Sequence, residues 1–145
     1  MKIIVSACLL GENCKYNGGN NESESLLHLL SGHTVIPVCL EVLGGLPTPR
    51  MPAEIVKGVV TNCAGYSVDK NFRQGAEKAL QTAKQEQADL MILQSRSPSC
   101  GVKQVYDGTF TGTLVSGQGI FAAMAQQAGF RVMDIEDIEE LIHLL

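Results

Sequence analysis

Four short runs, Ile3–Val5, Thr34–Val38, Leu90–Leu93 and Arg131–Met133, constrain this chain more than any other feature. Each is dominated by apolar or β-branched residues without regular polar alternation. A strand with one wet face alternates, whereas a strand covered on both faces does not. The runs therefore predict a mainly parallel sheet buried between two layers, with the intervening segments supplying the helices.

The intervening patterns agree. Ser23 or Ser25 is placed to cap a helix over Leu26–Leu30, with Gly32 as its stop. Phe72, Ala76, Leu80 and Ala83 share one helical face, opposite Arg73, Glu77, Lys78, Lys84 and Gln85. Ile120, Ala123 and Met124 suggest another buried face before Gly129. Ile135, Ile138, Leu141, Ile142 and Leu145 mark a last helix, with acidic residues near its positive N-terminus. Two regions depart from this alternation. Residues 42–69 carry Gly44-Gly45, three prolines and weak strand signals at Val59–Thr61 and Tyr66–Val68. Residues 101–117 contain the glycine-punctuated Tyr106–Gly112 stretch, which reads as a hairpin.

At 145 residues, with 45% hydrophobic and 18% charged side chains, the chain is expected to form one domain over 1–145 and not a disordered segment. Eleven basic against fifteen acidic residues give a net charge of −4, which argues against a nucleic-acid partner bound through a basic face. No apolar stretch is long enough for a membrane-spanning helix. Met1–Ser6 lacks the long apolar core of a secretory signal and reads as the first strand, so a cytoplasmic location is expected. Cysteines there stay reduced, and clusters of them more often serve metals or catalysis than disulfides.

The five cysteines acquire meaning from their places on this map. Cys8 follows the first strand, Cys39 the second, and Cys100 lies a few residues past the third. Ligands of open α/β sheets bind beyond the carboxyl ends of the strands. Three thiols from distant segments are thus expected at one edge of the sheet. There is no C-x-x-C knuckle, so a structural zinc site is a poor match, and His28, His33 and His143 fall elsewhere. Thiolates also ligate iron–sulfur clusters, and three protein ligands on a four-iron cluster leave one iron open as a Lewis acid.

Nearby residues suit a reactive pocket. A glycine-rich loop, Gly11–Gly19, follows Cys8 and carries Cys14 as a supporting thiol. Glu41, two residues past Cys39, is a candidate proton donor or acceptor. In Ser95–Gly101, the hydroxyls of Ser97 and Ser99 are placed to donate to sulfur or substrate oxygen, and Arg96 to offset thiolate charge. Cys63 reads as structural. Two other readings stay open: a metal-free persulfide transferase using Cys100 as nucleophile, and a metal or iron–sulfur module acting as sensor or carrier.

Val5–Gly11, Cys14–Gly19, Pro37–Arg50, Ser95–Gly101 and Tyr106–Phe110 together resemble a bacterial family of formerly unknown function that includes the thiouracil desulfidases. Asn17 and Leu40 stand where that family often has Asp and Pro. The resemblance implies a three-layer, Rossmann-like α/β domain of about four or five strands with long loops at their carboxyl ends. It implies a [4Fe-4S] cluster held by Cys8, Cys39 and Cys100, and a small thiolated base as substrate. In such enzymes the open iron takes the thio-sulfur, water replaces it without net redox chemistry, and sulfide leaves. Glu41 is then the acid/base and Ser97 the hydroxyl partner, with Cys14, Arg96 and Ser99 in support. Homo-oligomerisation is left open.

Overall fold

The four apolar runs pair as parallel strands of one sheet. The computed structural model describes residues 1–145. In chain order they form β1 (Lys2–Ser6), α1 (Glu24–Leu29), β2 (Thr34–Val38), α2 (Leu40–Leu43), β3 (Ala53–Val56) and β4 (Val59–Asn62). Then follow α3 (Asp69–Glu86), β5 (Leu90–Leu93), β6 (Gln104–Tyr106), β7 (Leu114–Ser116), α4 (Ile120–Gln127), β8 (Val132–Asp134) and α5 (Ile138–Leu144). The parallel sheet has the order β2-β1-β5-β8. Ile4 sits opposite Ile36 on one side and Met91 on the other. The last strand begins one residue later than its apolar run suggests, although the Arg131 carbonyl still accepts from Met91 N at 2.9 Å.

Alternation along the strands divides two cores. Ile4, Met91 and Leu93 pack with Ala76 and Ala79 of α3 and Phe121 and Ala125 of α4. Ile3, Val5, Leu90 and Ile92 pack on the other face with Leu26 of α1 and Leu141 of α5. The result is a three-layer α/β arrangement with a four-stranded parallel sheet, as the uniform runs require. Each fully buried Ile or Leu contributes on the order of 1.5–3 kcal/mol by transfer from water. No helix is long and apolar enough to cross a membrane.

The helices show where local pattern suffices. Ser23 is the cap of α1, its hydroxyl accepting from Leu26 N at 3.3 Å. In α4 the fully buried residues are Phe121, Ala122 and Ala125, while Ile120 and Met124 pack half-buried against the same core. That helix is apolar nearly all round, so periodicity does not select a face, and the bulk of Phe121 does.

The short α2 lies against α3 at a glycine crossing. A Cβ on Gly75 would run into the Leu40 carbonyl, and one on Gly44 into the Asn71 carbonyl. Backbone-to-backbone approach is what only glycine permits here. The Asn71 amide fastens the crossing by donating to Gly44 O at 2.9 Å.

Two hairpins stand apart from the main sheet, β3 with β4 and β6 with β7. The Val59–Thr61 signal is β4, whereas Tyr66–Val68 supplies only an isolated bridge from Ser67 to Thr61. Its true partner, β3, has no distinct local signal, being half-buried and preceded by a proline-rich stretch. The Tyr106–Gly112 stretch supplies the last residue of β6 and most of the turn leading to β7.

Candidate active site

The chain leaves β1 first to β2 on one flank and returns to β5 on the other, so strand order switches at the carboxyl ends of β1 and β5. A cavity of about 690 Å³ opens there, within the range of small-molecule sites. Cys8, Cys14, Cys39, Cys63 and Cys100 all line it, as do Glu41, Arg96, Ser97 and Ser99. None of the three histidines does.

Each thiol is held by its own local device. Cys8 lies in a 3₁₀ turn (Ala7–Leu10) that continues β1, and Asn21 Nδ2 donates to its Sγ at 3.8 Å. Cys39 is the extended residue that starts α2, its Sγ donating to the Cys14 carbonyl at 3.8 Å. Cys100 is buried, with Ser99 Oγ donating to its Sγ at 3.6 Å. The Ser97–Gly101 turn is fixed twice. Ser97 Oγ accepts from the amides of Ser99 and Cys100 at 3.1 and 3.2 Å. The first amides of α4 meet its carbonyls, Ile120 N to Pro98 O and Phe121 N to Ser99 O, both at 2.9 Å.

The hydroxyls of Ser97 and Ser99 are 2.8 Å apart. Ser99 spends its one hydrogen on Cys100, so Ser97 is the donor within this pair, giving a directed chain from Ser97 to Ser99 to sulfur.

Burial raises the thiols before anything else does. It pushes Cys100 up to about 12, despite hydrogen bonds from Ser6 and Ser99 that favour the thiolate, with Cys8 and Glu41 adding repulsion. Cys14 is also pushed up to about 12, first by burial and then by the charges of Cys39 and Cys8. Cys8 is raised by burial and by Cys39, against the opposing Asn21 hydrogen bond. The thiols are thus near enough to feel one another, yet no three His, Cys, Asp or Glu side chains converge as the ligands of a single metal ion do. Ligands on different irons of one cluster stand farther apart than ligands on one ion. A set of separated thiols with hydrogen-bond donors to sulfur fits such a cluster and not a zinc ion.

Three other placements shape the site. Arg96 points its Nε to Glu136 Oε1 at 3.3 Å, so its charge is shared with a carboxylate outside the thiol group. Cys63 is exposed at the cavity wall and not packed in a core. Glu41 is largely covered, because Arg50 lies against it. Arg50, only 6% exposed, sets Nε 3.3 Å from Glu41 Oε1, donates through Nη2 to the Cys14 carbonyl at 2.8 Å, and through Nη1 to Thr48 and Pro47. Its own amide donates to Tyr16 O at 2.6 Å. Sequence reading missed this residue, since its partners lie 9 and 36 positions away. The available signal was an arginine closing the Pro37–Arg50 motif beside two prolines.

Comparison with known proteins places this geometry in context. A family model described as 2-thiouracil desulfurase matches residues 3–137. The chain is 37% identical over 150 residues to an uncharacterized protein, YbbK, of Bacillus subtilis (strain 168), covering 97% of this chain and 99% of that one. It superposes with a TM-score of 0.91 on a solved structure named as a [4Fe-4S]-dependent thiouracil desulfidase, TudS (DUF523Vcz). Those two chains are 38% identical, with 97% of this chain and 94% of the other covered.

Proposed function

Because the chain belongs to the 2-thiouracil desulfurase family, we propose that residues 1–145 act as a single unit that removes sulfur from a small thiolated base without net redox change. The convergence of Cys8, Cys39 and Cys100 from three strand ends on one cavity carries the reading. The name of the TudS structure supports a [4Fe-4S] cofactor, and these three thiols would hold it, with Cys14 beside them in support. When bound, such a cluster supplies a Lewis-acidic iron free of protein ligands.

The protein groups have separable tasks in this reading. The reaction breaks a carbon–sulfur bond and forms a carbon–oxygen bond with water, releasing sulfide, and electrons balance throughout. Glu41 holds and moves the proton of the attacking water. Arg50 engages its Oε1, which orients the carboxylate and leaves Oε2 for the proton. Ser97 serves as the hydroxyl partner of the substrate by turning its hydrogen from Ser99 Oγ to the substrate oxygen or nitrogen, and Ser99 with Asn21 donates to the ligand sulfurs. The charged Arg96 stands at the cavity margin.

The metal-free alternative requires Cys100 to attack as a thiolate. Its burial, which keeps the thiol protonated, opposes that role. The test is anaerobic reconstitution with iron and sulfide, measurement of both per chain, and a sulfide-release assay on 2-thiouracil. Failure to take up iron with all three cysteines intact sinks the proposal. A loaded protein that releases no sulfide points instead to a sensor or carrier.

A further inference from the structure

The Tyr106–Phe110 motif has no part in the thiol arrangement, yet both its first and last residues line the same cavity. Phe110 lies in the turn between β6 and β7 with φ of +58°, a left-handed conformation that aromatic residues rarely adopt. It is not held there by core packing, since the side chain is 38% exposed. Hydrogen bonds hold the backbone instead. Glu54 of β3 accepts through Oε1 from Gly108 N at 3.0 Å and Phe110 N at 3.2 Å. Asp107 accepts from Thr109 N and Oγ1 at 2.9 and 2.6 Å, bracing the turn from within.

A strained backbone, bound by a carboxylate from another hairpin, thus presents a partly exposed aromatic ring to the thiol-lined cavity. Tyr16, 44% exposed, lines the same cavity from the glycine-rich loop. An exposed ring at a cavity wall offers one kind of contact that polar residues do not, a face on which a flat heterocycle can lie.

We propose that Phe110 is the platform on which the planar ring of the base stacks, so that planarity is selected independently of sulfur. This deepens the proposed desulfuration, on which the identity of the ring rests.

The test compares uracil with 5,6-dihydrouracil, which keeps the polar groups but has a puckered ring, by equilibrium dialysis against the anaerobically reconstituted protein. Neither compound carries sulfur, so binding is read without turnover. Wild type should prefer uracil, and Phe110→Ala should weaken uracil binding by about 5- to 150-fold, the range for losing one base–aromatic stack. Phe110→Tyr should keep the preference and Phe110→Leu, apolar but without a π face, should lose it. This pair decides the matter even where Phe110→Ala disturbs the hairpin. Wild type that binds both compounds equally, or fails to bind uracil, overturns the platform, as does a Phe110→Leu protein that still prefers uracil. Sulfide release from 2-thiouracil is scored separately. Discrimination without release refutes desulfuration and leaves the platform standing, whereas release without discrimination does the reverse.

Discussion

Arg50 Nε lies 3.3 Å from Glu41 Oε1, and the same guanidinium reaches the Cys14 carbonyl at 2.8 Å. One side chain therefore ties a proposed proton carrier to the loop that carries the fourth nearby thiol. Breaking a largely buried pair from one side leaves the other charge uncompensated, at a cost of about 3 kcal/mol. Arg50→Met is expected to lower the urea midpoint accordingly, with faster amide exchange over residues 11–19. Arg50→Lys should recover part of the stability but not the loop protection, because an ammonium lacks the planar fork. Unchanged exchange in Arg50→Met would show that the loop does not depend on this tie.

The five thiols should separate sharply by iron content. Serine at Cys8, Cys39 or Cys100 is expected to reduce iron per chain to near the background of a reconstitution without protein. Serine at Cys63, exposed at the cavity wall, should leave it unchanged, and serine at Cys14 should leave most of it. Equal losses from all five, measured by iron and acid-labile sulfide, would contradict the assignment.

Gly75 and Gly44 set the approach of α2 to α3, and α2 carries Glu41 two residues after Cys39. Gly75→Ala pushes a methyl into the Leu40 carbonyl, which neither backbone can avoid. We expect a loss of about 3 kcal/mol, the upper part of the range for overpacking. Iron binding should weaken along with thermal stability, since the displaced helix bears the site. A stable variant with full iron would mean that α2 moves without disturbing Cys39.

Asp69, at the start of α3, accepts from Val60 N at 3.0 Å and Arg73 Nε at 2.7 Å. Burial alone would raise its carboxyl, but these donors overcome that and hold it below the usual range. A carboxyl lowered on folding stabilises above its unfolded pKa of about 4, and that contribution fades as pH falls through the folded value. Asp69→Asn should therefore be less stable than wild type at neutral pH. The gap should close only once the pH has fallen below the lowered pKa of the folded carboxyl, where both side chains are neutral. A gap that persists unchanged in acid, by thermal unfolding across this range, would assign it to lost geometry and not to charge.

The parallel sheet was legible because burial on both faces leaves a uniform apolar run, a signal each strand carries by itself. The carboxyl-end placement of Cys8, Cys39 and Cys100 followed from those runs. Other features depend on partners that sequence does not display. Residues Ala53–Val56 become β3 only by pairing with β4, and the alanine-rich α4 chooses its face through the neighbour that receives Phe121. Arg50 is informative only once Glu41 and the Cys14 carbonyl are seen beside it. Cys63 reads as structural in the sequence because a thiol's chemistry and its hydrophobicity look alike in one letter.

The two hairpins are hydrogen-bonded within themselves, outside the parallel sheet that carries the thiols. Evolution can therefore redraw the entrance while leaving the reactive floor alone. Of residues 104–116 only Val105 is buried, bridging to Arg96, and the turn beyond it answers to Glu54, whereas the strand ends answer to two cores at once. A lineage that needs a different ring, or a bulkier one, can obtain it by rewriting one hairpin, and selection on appetite and selection on reactivity proceed on separate stretches of the gene.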